Sequence, residues 1–277
     1  MKLGFMIYSL GRSLADKTLT VPGALALMKE LGVEGVDITT WHVEGYTNAE
    51  VRQMVADAGL VTSCYIGGVS LAMGPGPERQ EALDETKKVI DGAAETEALC
   101  ALITAGGCLP GQDKTEGRRN ISAGLAELAP YAKAQGVVLT IEDFGASTSA
   151  YQTGAECLEC IEMAGPEVML TYDSGNMILG DDDPVDFIRV TKDRIVHAHA
   201  KDWRLLSPDA ENCLTSRAGR KYIGETVGQG IIDYPAVVAA LNGIGYDGYF
   251  SFEYEGSGDP IQAAREGTAY LLGLLNK

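Results

Sequence analysis

The sequence predicts an α/β protein, and within that class a single (β/α)8 TIM barrel. Three observations carry the prediction. Eight short apolar runs recur along the 277 residues. Each is followed by a longer amphipathic stretch that returns the chain to the next run. The runs are near-continuously apolar rather than alternating, as strands buried on both faces of a parallel sheet require.

In chain order, residues 3–8 (LGFMIY) form the first strand. Residues 21–31 form a helix with Pro22 at its start and Gly32 just past its end, the ordinary start and stop residues. Strand 35–38 leads to helix 48–58, for which Asn48 is the expected cap and Gly59 the stop. Strand 61–66 precedes helix 77–94, and strand 101–104 precedes helix 118–135, closed by Gly136. Strand 137–141 with helix 153–163, strand 168–172 with helix 184–190, and strand 195–198 with helix 234–241 follow. Strand Tyr249–Phe252 and helix Pro260–Leu275 end the series. The linkers LGVEGV, AGLVTS, QGVVLT and IGYDGYF repeat one pattern, a glycine turn followed by apolar residues. Successive strands start 26 to 54 residues apart, the length of a βαβ crossover. A barrel of this kind takes roughly 250 residues. The rival doubly wound sheet would carry a glycine-rich phosphate loop after strand one, and none is present there. No linker or low-complexity segment divides the chain, so residues 1–277 read as one domain. The longest gap leaves a stretch at about 203–233 without periodicity, expected to be a long active-site loop on the C-terminal face.

Composition narrows the function. Thirty-nine acidic against 22 basic residues give a formal net charge of −17, which argues against nucleic-acid partners and anionic membranes. No run is long enough to span a bilayer, and the N-terminal MKLGFMIYSLGRS reads as a strand rather than a leader. The six cysteines are too sparse for a disulfide framework, so a reduced, cytoplasmic protein is expected. Cys157 and Cys160 form a lone CxxC in a helical run and read as small apolar residues on one helix face.

The informative charges stand at strand ends. Strand five ends in Glu142, strand six in Asp173, strand seven carries His197 and His199, and strand eight leads to Glu253. Neighbouring strands lie about 4.8 Å apart, so these groups can converge on one point. Carboxylates so close repel unless a cation sits among them. Oxygen ligands with one nitrogen suit Mn2+, Mg2+, Co2+ or Zn2+. Alternate strand residues share a face, so either histidine of HxH could supply the nitrogen.

The runs TIEDFG, YDSGN, HAHAKDW and SFEYEG resemble those of the xylose isomerase-like barrels, the sugar phosphate isomerase/epimerase superfamily, and the resemblance spans essentially the whole chain. It implies a divalent metal, Mn2+ first, held by Glu142, Asp173, His199 and Glu253, with His197 behind them. It implies Glu142 and Glu253 as the catalytic acid/base pair of an isomerase or epimerase acting on a sugar or keto-polyol through an enediolate. The alternative it admits is a lyase or dehydratase acting on a keto-sugar, inosose or 3-keto-glycoside. Asn176 stands where tagatose epimerase-like members carry a substrate-contacting histidine, whereas Lys201 and Asp202 follow His199 as in inosose dehydratase-like members. The implied partner is a small-molecule carbohydrate, with a homo-oligomer left open.

Substrate-binding residues are expected around that centre. Asn176, His197 and Lys201 flank the ligands, and Lys201 can meet a substrate oxygen or pair with a carboxylate. Tyr8 and Arg12 follow strand one, Trp41 and His42 strand two, and Tyr65 closes strand three. Trp41 is expected to stack on a sugar face, His42 to be an exposed loop residue. Arg217, Arg220 and Lys221 concentrate positive charge in RAGRKY, suited to a substrate anion or to pairing with the acidic surface.

Overall fold

The computed structural model describes residues 1–145 and 147–276. Eight parallel strands close a barrel: β1 (Lys2–Met6), β2 (Gly35–Thr39), β3 (Val61–Gly67), β4 (Cys100–Ile103), β5 (Val138–Glu142), β6 (Val168–Asp173), β7 (Ile195–Ala200) and β11 (Tyr249–Phe252). Each pairs with its neighbour in sequence order, and β11 closes the ring against β1. The fold class is the one the strand spacing predicts.

The major crossover helices are α2 (Val21–Glu30), α3 (Asn48–Asp57), α4 (Pro77–Glu95), α5 (Lys114–Ala134), α6 (Gly154–Ala164), α8 (Pro184–Thr191), α9 (Tyr234–Gly243) and α10 (Pro260–Leu275). Their starts are set by capping side chains. Thr20, Thr153, Asp183, Asp233 and Asp259 each accept a hydrogen bond from the first turn they precede. Thr47, not Asn48, caps α3; its hydroxyl and the Glu50 carboxylate form a reciprocal capping box. Helix α5 begins four residues earlier than its periodicity suggests, because Asp113 accepts from the amides of Thr115 and Glu116.

Two local features escape the sequence pattern. The first strand ends at Met6, and the chain then turns through a 3-10 segment, Ile7–Leu10, into the short helix α1 (Gly11–Ala15). The aperiodic stretch after β7 is not an open loop. It folds into a three-stranded antiparallel sheet of β8 (Asp202–Leu205), β9 (Leu214–Thr215) and β10 (Lys221–Glu225), in the order β8-β10-β9. Asp202 anchors it: its buried carboxylate accepts the amides of Trp203, Gly228, Gly230 and Ile232. A further short helix, α7 (Asn176–Leu179), comes after β6.

The main apolar core lies between barrel and helices and includes Cys157 and Cys160. Burial raises both thiols, as expected of inert packing residues. Thr140 of β5 and Thr171 of β6 share a buried hydrogen bond of 2.9 Å. Among the described residues no helix is long and apolar enough to cross a membrane.

Candidate metal and active site

Register brings the strand-end charges together. On β6 and β7, Asp173 pairs with His199; on β11 and β7, Ser251 pairs with His199, which leaves Glu253 one step past the strand beside it. Glu142 ends β5, paired with Thr171 of β6. One donor atom from each of Glu142, Asp173, His199 and Glu253 lies within 4.8 Å of the others. His199 Nδ1 faces all three carboxylates, at 2.5 Å from Glu142 Oε1, 3.4 Å from Glu253 Oε2 and 4.0 Å from Asp173 Oδ2.

Two oxygens in this cluster, Asp173 Oδ2 and Glu253 Oε2, are buried without a hydrogen-bond partner among the described residues. Asp173 Oδ2 faces the Lys201 ammonium at 3.2 Å and Glu253 Oε2 faces His199 Nδ1 at 3.4 Å, neither in hydrogen-bond geometry, so both oxygens keep acceptor capacity for a further partner. With three carboxylates and one imidazole nitrogen, the donor set fits a hard or borderline divalent cation and offers no thiolate to a softer one.

The ammonium of Lys201 lies against the same carboxylates, 2.8 Å from Glu253 Oε1, 3.2 Å from Asp173 Oδ2 and 3.0 Å from Glu255 Oε1. Burial works against its charge, but these carboxylates hold its pKa well above the usual lysine range. Burial likewise disfavours a charged His199, yet Glu142, Asp37 and Glu253 hold it well above the usual histidine range. Burial drives Glu253 well up, only partly offset by Lys201. Asp173 is equally buried, but Lys201, His199 and the Asn176 amide keep it below the ordinary carboxylate range. Asn176 links the parts: its Nδ2 donates to Asp143 O at 2.9 Å and Glu142 Oε2 at 3.3 Å, and its Oδ1 accepts from Lys201.

Two carboxylates beside this cluster were not singled out by the sequence. Asp37, on β2, is fully buried and crosses the interior to β7, with Oδ2 3.0 Å from His197 Nε2 and 3.3 Å from His199 Nε2. Its other oxygen accepts from Ser63 Oγ at 2.6 Å. His197 and His199 hold Asp37 low against its burial, and Asp37 in turn raises His197. Such a carboxylate behind a ligating imidazole fixes its orientation and the tautomer it presents. The one available signal was a lone acid inside the apolar run GVDIT. Asp143, next to Glu142, accepts from the Asp173 amide at 3.1 Å; burial and the charges of Asp173 and Glu142 push it well up.

The remaining expected residues fall into two groups. Tyr8, Arg12, Trp41 and His42 line a cavity of about 810 Å3 whose wall also includes Glu255. Burial and Glu255 raise the Tyr8 phenol. Arg12 does not face an anion: its guanidinium donates to the carbonyls of Gly256, Ser257 and Gly258. His42 is half-buried, its Nδ1 2.6 Å from Thr39 Oγ1, rather than a free loop residue. Tyr65 is not at the mouth. It is buried toward the helices and donates to Asn48 Oδ1. Arg217 is outside the cavity lining and bonds Glu156 of α6 at 3.0 Å. Arg220 pairs with Asp181, and Lys221 donates to Thr215 Oγ1.

A family model described as xylose isomerase-like TIM barrel matches residues 25–274. The inosose dehydratase of Lacticaseibacillus casei is 31% identical over 163 residues, covering 56% of this chain and 54% of that protein. This chain thus spans about half the length of that curated relative in the match. Among solved structures, a D-psicose 3-epimerase determined with D-fructose superposes with a TM-score of 0.77 over 100% of both chains at 18% identity. The IOLI protein with a bound zinc atom superposes with a TM-score of 0.78 at 16% identity, over 100% of this chain and 98% of that one.

Proposed function

The chain belongs to the xylose isomerase-like TIM barrel family, and on that premise we propose that it is a divalent-metal-dependent lyase that removes water from an inosose or similar keto-polyol. The observation that carries this reading is the buried Glu142–Asp173–His199–Glu253 cluster with the Lys201 ammonium set against it. The likeness to an inosose dehydratase moves elimination ahead of the isomerase/epimerase expectation.

A divalent ion held by the four residues would polarise the substrate carbonyl and acidify the neighbouring C–H. Glu142 has the most exposed side chain of the four, at 14%, and is the base that takes that proton. Asn176 orients it through the 3.3 Å contact to Oε2. Lys201 gives a proton to the departing hydroxyl as the carbon–oxygen bond breaks, so water leaves and a carbon–carbon double bond forms. Glu253, Asp173 and Glu255 keep that lysine charged between turnovers. His197 and Asp37 hold His199 in place from behind. Mn2+ is the expected ion, with Mg2+, Co2+ or Zn2+ as substitutes, and the expected setting is cytoplasmic.

Incubating metal-loaded protein with a panel of inososes and ketoses and weighing the products tests this. A product lighter by one water supports the lyase. Full activity after complete chelation would sink it. A second reading rests on Glu142 and Glu253 sharing the cluster. If Glu253 returns the proton that Glu142 removes, a centre inverts or the carbonyl moves, and the product keeps the substrate's formula.

A further inference from the structure

We propose that the 810 Å3 cavity beside the cluster is a subsite for an uncharged, ring-bearing substituent, so that among keto-polyols the preferred substrate is one carrying a second ring as a substituent rather than a bare or phosphorylated one. The inference rests on the cluster being the reaction centre, but the subsite is tested by binding alone.

Position comes first. The cavity lies between the turn after β1, the segment after β2 and the β8-β10-β9 sheet, with Leu214 and Ile223 on its far wall. Near the cluster it is bounded by Glu255, whose carboxylate is 3.0 Å from Lys201 Nζ. None of the four ligand residues lines it. Its volume is near the upper end of the roughly 300–1,000 Å3 that encloses a drug-sized ligand. A single polyol ring engaged at the cluster would leave most of it to water.

Wall chemistry then selects the occupant. Tyr8, His42 and Trp41 form a continuous aromatic run, with both Tyr8 and Trp41 ring centroids 5.9 Å from that of His42. Trp41 is 47% exposed and Leu214 is also open, so two large apolar surfaces flank the space without a partner. Aromatic faces of this kind stack on the C–H face of a sugar or on an aryl ring.

Charge excludes an anion. Arg12 is the one arginine or lysine among the lining residues, and its guanidinium is taken by three backbone carbonyls. Burial lowers the His42 pKa and keeps that ring neutral. Glu255 places a carboxylate where the cavity approaches the cluster. Outside the lining, Arg217 and Arg220 are paired with carboxylates, and Lys221 donates to Thr215 Oγ1. A phosphate would therefore be desolvated beside a carboxylate with no free cation to meet it.

The chain has two tryptophans, Trp41 and Trp203, and both line the cavity, so the part of an emission change that Trp41→Ala removes is the part that reports Trp41. The 277-residue chain is titrated with phenyl β-D-glucopyranoside, glucose and glucose 6-phosphate, by emission and by calorimetry. Phenyl glucoside is expected to bind about tenfold more tightly than glucose, and glucose 6-phosphate most weakly. Trp41→Ala, at a half-exposed position, is expected to abolish the preference with the thermal midpoint retained. Leu214→Arg, which supplies the missing cation, is expected to raise affinity for glucose 6-phosphate. Equal binding of glucose and phenyl glucoside, no binding of phenyl glucoside at millimolar concentration, tighter binding of glucose 6-phosphate, or a preference that survives Trp41→Ala would each overturn the subsite. A chain that binds phenyl glucoside through Trp41 yet dehydrates no keto-polyol would instead overturn the lyase reading and leave the subsite standing.

Discussion

Two concentrations of charge stand out in this chain, and the fold treats them in opposite ways. Glu142, Asp173, His199 and Glu253 sit on successive strand ends, where parallel register leaves each side chain one direction to face. They meet in the barrel mouth, largely removed from water, with two carboxylate oxygens still lacking a hydrogen-bond partner. Arg217, Arg220 and Lys221 sit on a turn and the strand after it, at the surface. There Arg217 and Arg220 are 46% and 55% exposed in their side chains, and each pairs with a carboxylate of the surface it lies on, Glu156 and Asp181. Exposed pairs of that kind contribute about 0–1 kcal/mol. Like charges gathered in a barrel mouth are costly unless something binds among them. The comparison teaches that a site is marked by convergence from distant segments, and that a dense run of charge in one segment is more often satisfied where it stands.

Substitutions should separate the two regions widely. Glu142→Gln removes the proposed base and is expected to lower turnover by about 10²–10⁴-fold. Steady-state kinetics at saturating metal checks this, and retained turnover would assign the base elsewhere. Asp37→Asn keeps the shape of the group behind His199 but weakens its acceptor, and is expected to cost about 10–100-fold in metal affinity. Equilibrium dialysis of Mn2+ reads the change; a loss of thermal stability with unchanged affinity would mean that Asp37 only supports the interior.

A pH series sharpens the same contrast. Without metal, His199 and Glu253 hold their protons to higher pH than usual, so a metal must displace them, and affinity should keep climbing as pH rises past the ordinary histidine pKa of about 6.5. Metal-free stability should run the other way. The raised His197 and His199 contribute fully below the unfolded histidine pKa of about 6.5, and that contribution is lost as pH rises through their folded values. Asp37 and Asp173, held low, lose theirs as pH falls below about 4. Thermal midpoints across pH with and without Mn2+ check both slopes, and parallel slopes would contradict the assignment. Smallest of all, Arg217→Ala should change stability by no more than about 1 kcal/mol and leave the KM of an uncharged substrate unchanged. A large rise in KM would return the surface patch to the active site.

The barrel strands were legible because burial on both faces writes them as apolar runs that no other element needs. The four proposed ligand residues were legible because charge at the end of such a run has no packing reason to be there. The small sheet after β7 was not legible. Strands β8, β9 and β10 are two to five residues long, and their mixed polar sequence carries no period. Asp37 was hidden for a different reason: one acid in GVDIT gives no pattern, and its partner His197 is 160 residues away and reached only when the barrel closes. The Asn48 cap was misplaced by one residue because Thr47 and Asn48 are both good capping residues, and the side chain of Glu50 decides between them.

The central claim is that the four converging strand ends form one metal site. Titrating chelator-stripped protein with Mn2+, followed by the loss of the free-ion paramagnetic resonance signal, tests it most directly. One ion bound per chain in the wild type, and none at the same concentrations in Asp173→Asn, is the expected result. Stoichiometric binding that survives Asp173→Asn, or no binding by the wild type, would contradict it.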